Sequence, residues 1–339
     1  MRRGSIASLV GIGIVSGGIA AAVALALPWL PVSASKEAGR TDFEFWFVVT
    51  ICIVIFSIVS AVMLYSVVRF RAAPDDDSDG PPIHGHTGLE ITWTLIPTVL
   101  VTAIGITSAI VLSRNDASAK NALEVDVVAQ QFTWTFRYPE ANGLTSATLM
   151  LPRDRQTLLR FESKDVIHSF FVAEFRLTQD TVPGITTSLR VTPTRDGSYP
   201  VICHELCGLG HATMRSTAVV MEPAAFDKWL NGQSKAVTSG NPGTAGAAVF
   251  KNNGCAACHT LAAAAAKGTV GPDLDKLPAE AQQAGKPLAD FIRTSITDPN
   301  AYIQPGYPRN VMPQTFGKAL SKQQLDSLVS YLTSSSKGK

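Results

Sequence analysis

Cys203-His204-Glu205-Leu206-Cys207-Gly208-Leu209-Gly210-His211-Ala212-Thr213-Met214 is the most specific run in the 339-residue chain. It gathers two thiols, imidazole and a thioether, and His168 adds another imidazole upstream in Val166-Ile167-His168-Ser169-Phe170. Soft sulfur and imidazole donors together suit copper. A one-copper blue site uses a single Cys with two His and a weak axial Met. Here the second Cys lets two thiolates bridge two metals, leaving one His and one weaker ligand for each. Two other readings of the cysteines stay open, a Cys203–Cys207 disulfide and a zinc site. Met214 favours copper, because thioether sulfur does not serve zinc.

The sequence around this run is β-like. From about 120 to 232, apolar residues recur at period two in short stretches separated by Gly, Pro, Asp and Asn. Val125, Val127, Phe132, Trp134, Phe136 and Tyr138 open the series, and stretches at 157–161, 166–172, 186–191, 198–202 and 216–221 continue it. Such spacing predicts a β-sandwich. Residues 233–246 are Gly/Ser/Thr/Pro-rich and read as a linker. From 247 to 336 the pattern is helical, clearest at Asp290–Ile296 and Lys322–Leu332. Ala262–Ala266 is a low-complexity insert.

Within the helical region, Gly254-Cys255-Ala256-Ala257-Cys258-His259 is the pattern of covalent c-type haem attachment. Cys255 and Cys258 would add to the haem vinyl groups, and His259 would bind the iron. A redox dithiol is the other reading of C-x-x-C. Met312, in Asn310-Val311-Met312-Pro313, is the candidate second axial ligand; a His/Met pair raises the reduction potential. Gly271-Pro272-Asp273-Leu274 resembles the cytochrome c segment whose Pro carbonyl accepts a bond from the haem His and so orients it.

Upstream the chain is apolar. Residues 1–34 start with Arg2 and Arg3 and run uncharged to Val32-Ser33-Ala34, which reads as a signal peptide with a small-residue cleavage site; an uncleaved helix is the alternative. Trp46–Val68 and Ile91–Leu112 are each long enough to cross a bilayer, so residues 42–114 read as a two-helix hairpin. Lys36 and Arg40 balance Arg69 and Arg71, leaving the positive-inside count tied. The signal sequence breaks the tie: the Asp75-Asp76-Asp77 loop is cytoplasmic, and all that follows residue 113 is outside. A net charge of +2 excludes the strong basic excess of a nucleic-acid binder. Cys52 lies alone in an apolar run.

Taken together, Cys-x-Glu-x-Cys-x-x-x-His-x-x-Met, the upstream His, Leu89-Glu90-Ile91-Thr92-Trp93-Thr94 and Gln179-Asp180-Thr181-Val182-Pro183-Gly184 resemble subunit II of cytochrome c oxidase, with a cytochrome c domain fused after it. The resemblance covers roughly residues 42–232. It implies a multi-domain membrane protein with a transmembrane α-helical hairpin, a cupredoxin-like β-sandwich and an all-α cytochrome c domain. It also implies a dinuclear copper A centre held by His168, Cys203, Cys207, His211, Met214 and the Glu205 carbonyl. The Glu205 side chain becomes a candidate magnesium ligand at the boundary with subunit I.

The same resemblance implies a role in which electrons pass from a soluble or membrane-bound cytochrome c, or a cytochrome bc complex, to haem c, then copper A, then subunit I. Oxygen reduction and proton pumping belong to subunit I, with subunit III beside it, in a bacterial plasma membrane; both redox domains face outside. Glu90 is a candidate for the mouth of a proton path, with a plain helix-terminus charge as the alternative. Phe132 and Trp134 are candidates for electron input, although the family's input Trp aligns with Phe132 here. Rival readings are a quinol oxidase subunit, a copper A nitric oxide reductase subunit, and a membrane-anchored carrier with no oxidase partner.

Overall fold

The computed structural model describes residues 3–71, 80, 82, 84–141, 144–237, 241–314 and 316–336. The chain divides into two compact units. The Asp75-Asp76-Asp77 loop lies outside the described residues.

The first unit is helical: α1 (Arg3–Ala26), α2 (Lys36–Arg69) and α3 (Thr87–Asn115). Each is long and apolar enough to cross a membrane. The expected hairpin is present as α2 and α3, and α1 adds a third helix within the region read as a signal. Small residues let α1 approach α2: a methyl placed on Gly13 would sit 3.7 Å from Ala61 Cβ. Polar contacts tie α2 to α3. Thr107 and Ser108 donate to Glu44 Oε1 at 2.9 and 2.8 Å, and Arg40 donates to the Arg114 carbonyl at 3.0 Å.

The second unit begins with a ten-stranded sandwich. Its strands are β1 (Leu123–Gln130), β2 (Thr133–Tyr138), β3 (Leu144–Ser146), β4 (Leu149–Pro152), β5 (Thr157–Ser163), β6 (His168–Val172), β7 (Leu177–Thr181), β8 (Thr187–Val191), β9 (Gly197–Cys203) and β10 (Arg215–Met221). One sheet has the order β3-β2-β1-β5-β8 and the other β4-β10-β9-β6-β7. Alternation drives this packing: Leu123, Val125, Val127 and Ala129 of β1 all point inward and are buried. Trp134, Phe136, Phe161 and Phe170 fill the space between the sheets. Each such side chain contributes roughly 1.5–3 kcal/mol on burial. Only the short β3, β4 and β7 escaped the periodicity.

Residues 34–37 belong to this sandwich. Ala34 is fully buried; its N–H donates to the Glu174 carbonyl and its own carbonyl accepts from Thr194, both at 2.9 Å. The buried Glu37 carboxylate accepts from the Thr192 N–H at 2.8 Å and hydroxyl at 3.1 Å. The small residue read as a cleavage signal is therefore a core residue of the folded domain. That leaves a cut after Ala34 at odds with the packing.

After the sandwich come α4 (Pro223–Val237), α5 (Pro242–Asn252), α6 (Cys255–Cys258), the pair β11 (Thr260–Leu261) and β12 (Ala266–Lys267), α7 (Leu277–Gln283), α8 (Leu288–Thr297), α9 (Phe316–Ala319) and α10 (Lys322–Ser335). Helix runs into both ends of the expected 233–246 linker. Asn241 caps α5, its side chain accepting from Gly243 and Thr244, and Pro242 starts the helix. Gly246 is buried against Ser327 and Tyr331 of α10, so it is a packing residue rather than a hinge. The alanine insert forms the small loop joining β11 to β12, with Ala265 at φ 50°.

Candidate metal and haem sites

The strand β6 starts at His168, β9 ends at Cys203, and the loop between β9 and β10 carries Cys207, His211 and Met214. Antiparallel pairing of β6 with β9 sets Phe170 opposite Cys203, which brings His168 to the loop. Cys203 Sγ lies 3.9 Å from Cys207 Sγ and 4.0 Å from His168 Nδ1. Cys207 Sγ lies 3.6 Å from His211 Nδ1 and 3.8 Å from Met214 Sδ. The Glu205 carbonyl oxygen is 3.2 Å from Cys203 Sγ. Sulfurs 3.9 Å apart are far beyond the S–S bond length of about 2.05 Å, and they face a common centre. All six residues read from the sequence thus converge, and His168, Cys203, Cys207 and Met214 are buried.

Electrostatics distinguishes the two thiols. Burial pushes the Cys203 thiol up, but hydrogen bonds from His168, the Ser169 and Glu205 backbone and His211 bring it down to about 6. Burial and the adjacent Cys203 charge push Cys207 up. Two thiolates this close want a shared cation, which is the chemistry a bridged metal pair supplies.

Two supporting residues were not read from the sequence. Asp165 Oδ1 contacts His168 Nε2 at 2.8 Å, which leaves Nδ1 toward the sulfurs. Burial lowers the His168 pKa, yet the contacts to Cys203 and Asp165 outweigh it and the net shift is upward. Gln131 joins both sides, its N–H donating to Asp165 at 2.6 Å and its amide to the Cys207 carbonyl at 2.6 Å. A carboxylate three positions before a ligand His was the only available clue.

The second site is a mostly apolar cavity in the helical region. Cys255, Cys258, His259 and Met312 all line it, with Phe291 and Leu328 among the apolar walls. His259 Nδ1–H donates to the Pro272 carbonyl at 2.8 Å, leaving the other ring nitrogen for a metal. Gly271 is required here: a Cβ would stand 2.6 Å from His259 Cε1. Burial lowers the pKa of His259, against the Pro272 bond, which favours the uncharged ring that a metal needs. Burial also raises both thiols, Cys255 to about 12. A low-pKa redox dithiol needs the opposite shift. The donors and the apolar hole fit a covalently attached haem.

The chain matches three family patterns in order. "Cytochrome C oxidase subunit II, transmembrane domain" covers residues 22–111, "Cytochrome C oxidase subunit II, periplasmic domain" covers 144–222, and "Cytochrome c" covers 243–336. It is 34% identical over 256 residues to cytochrome c oxidase subunit 2 of Synechocystis, spanning 62% of this chain and 77% of the relative. The chain belongs to the cytochrome c oxidase subunit 2 family. It is also 29% identical to the subunit 2 of Alkalihalophilus pseudofirmus over 82% of each chain. Among solved structures, the periplasmic domain of cytochrome oxidase subunit II from Bradyrhizobium japonicum covers 34% of this chain and 96% of its own at 22% identity, with a TM-score of 0.33.

The remaining candidates fall differently. Trp134 is buried beside His168, their ring centroids 6.1 Å apart, and offers no surface to a soluble donor. Phe132 is partly buried and lines the haem cavity, while its ring packs on the copper loop at Gly208 and Gly210. Glu90 lies in the first turn of α3, where its carboxylate accepts from the His86 N–H at 3.1 Å and His86 Nδ1 accepts from Leu89. That is a reciprocal helix cap, the structural role weighed from the sequence.

Proposed function

We propose that this chain is the electron-input subunit of a haem–copper cytochrome c oxidase. Bound copper and haem would supply reversible one-electron transfer with little change in bond length. The carrying observation is the geometry of the copper loop, with two sulfurs 3.9 Å apart and an imidazole and a weaker donor beside each. His168, Cys203, Cys207, His211, Met214 and the Glu205 carbonyl would hold two coppers. Cys255 and Cys258 would fix a haem c with His259 and Met312 as axial ligands.

The protein's own contribution is rigidity. Asp165 and Gln131 lock the His168 ring and the Cys207 carbonyl, so the donors need little movement to meet metal. The Pro272 carbonyl does the same for His259. The exposed Glu205 side chain is available for a magnesium ion at a contact with subunit I. Electrons would arrive from an external cytochrome or cytochrome bc complex, and oxygen reduction coupled to proton translocation would belong to subunit I, with subunit III alongside. The apolar helices anchor the chain in a bacterial plasma membrane, with both redox domains on its outer face. We assign domains at 42–114, 120–232 and 247–336 within this reading.

Optical and EPR spectra of the purified complex test it. Expected are a c-type haem spectrum and a mixed-valence dicopper signal. Oxidised protein with Cys203 bonded to Cys207 and no metal would overturn it.

A further inference from the structure

The haem cavity is not walled by the cytochrome region alone. Phe132, Thr133, Thr213 and Arg215 reach it from the sandwich. The attachment turn touches the sandwich as well: a methyl on Gly254 would stand 3.2 Å from Ala147 Cβ and 3.7 Å from Thr133 Oγ1. Charge on this wall is uneven. Among the described lining residues, Arg215 is the single Lys or Arg, and it comes from the copper domain rather than from the domain that would carry the haem.

A haem brings two carboxylates, and an anion at the edge of an apolar hole is costly unless a cation or several donors meet it. Arg215 is built to do so. Its Nε donates to the Ala212 carbonyl at 3.1 Å, which fixes the direction of the guanidinium and turns its terminal nitrogens to other partners. A planar fork of N–H donors matches a carboxylate. Arg215 also follows Met214 directly, and neighbouring Phe132 packs on the copper loop, its Cζ 3.2 Å from where a Gly208 Cβ would be.

We propose that Arg215 pairs with a haem carboxylate, so that the copper domain supplies the counter-charge that latches the haem beside the copper loop. This rests on haem attachment at Cys255 and Cys258. Arg215 is then a positioning residue: it sets where the haem edge sits against Phe132, and its charge favours the reduced haem.

The test is a redox titration of haem c in the intact, haem-loaded complex carrying Arg215→Gln or Arg215→Lys, with flash-initiated haem-to-copper transfer measured alongside. Arg215→Gln should lower the haem potential and, although that alone would raise the driving force to copper, slow transfer several-fold because the haem edge loses its place against Phe132. Arg215→Lys should recover most of both, and the dicopper EPR signal should stay unchanged. An unmoved potential and rate in Arg215→Gln would overturn the latch. So would an altered copper signal as the sole effect, since the arginine would then act through Met214. Wild-type protein without covalent haem would overturn the haem reading and the latch with it.

Discussion

The copper loop and the haem cavity solve the same problem in opposite ways. In the sandwich, the donors are already gathered: strands β6 and β9 and the hydrogen bonds of Asp165 and Gln131 hold sulfur and imidazole within about one metal's reach. In the helical region Cys255, Cys258, His259 and Met312 line a mostly apolar cavity, beside buried walls such as Phe291, Ile292 and Leu328. The sandwich packs its core between two sheets, whereas the helical region's core residues Phe291, Ile292 and Leu328 also line the cavity that a bound haem would fill. The lesson is that losing the metal and losing the haem should have unequal structural costs.

The largest expected effect follows from that contrast. Replacing Cys255 and Cys258 with Ser should abolish covalent haem and leave the C-terminal helices open to limited proteolysis, with the dicopper EPR signal retained. If those helices stay protected without haem, the contrast is broken. Cys207→Ser should do the reverse, removing the dicopper signal while the haem spectrum and the protease resistance of both domains persist. Met214→Leu sharpens the same point: its copper signal should shift and its haem c spectrum should not.

A smaller effect concerns where the sandwich begins. Ala34→Asp would bury an unpaired carboxylate and should cost the copper domain about 2–3 kcal/mol, read from its denaturation midpoint. N-terminal sequencing of purified protein should accordingly find Ala34 still attached. A mature chain starting at Ser35 would show that the domain folds without it.

The smallest effect is electrostatic. Glu280 is buried on the haem-cavity wall, and burial, reinforced by Asp273 and opposed by Lys276, holds its carboxyl above the usual range. A carboxyl with a raised folded pKa contributes least once both states ionise, so stability should fall as pH rises through the folded value. Glu280→Gln should therefore flatten the loss of thermal stability of the haem-loaded domain between acid and neutral pH. An unchanged pH profile would remove Glu280 from the account.

Much of this molecule was written locally. The period-two stretches became β5, β6, β8, β9 and β10 because alternating apolar residues bury one face of a strand whatever its neighbours are. The Cys, His and Met side chains that converge in the structure were legible because their chemistry is rare and their spacing tight. Asp165 and Gln131 were not, since an acidic residue and an amide in a loop carry no periodic signal. Their role exists only after β1, β6 and the β9–β10 loop meet. Ala34 shows the same limit: a small residue before a processing site and a small residue in a tight core look identical in one dimension.

By itself, then, the sequence determined the order of domains, the donor atoms and the apolar helices, because each depends on residue type and nearby spacing. The tertiary structure alone decided which residues orient those donors, that Trp134 is buried while Phe132 touches both sites, and that Arg215 reaches the neighbouring domain's cavity. Those facts arise from contacts between segments far apart along the chain, and they are fixed only when packing brings the segments together.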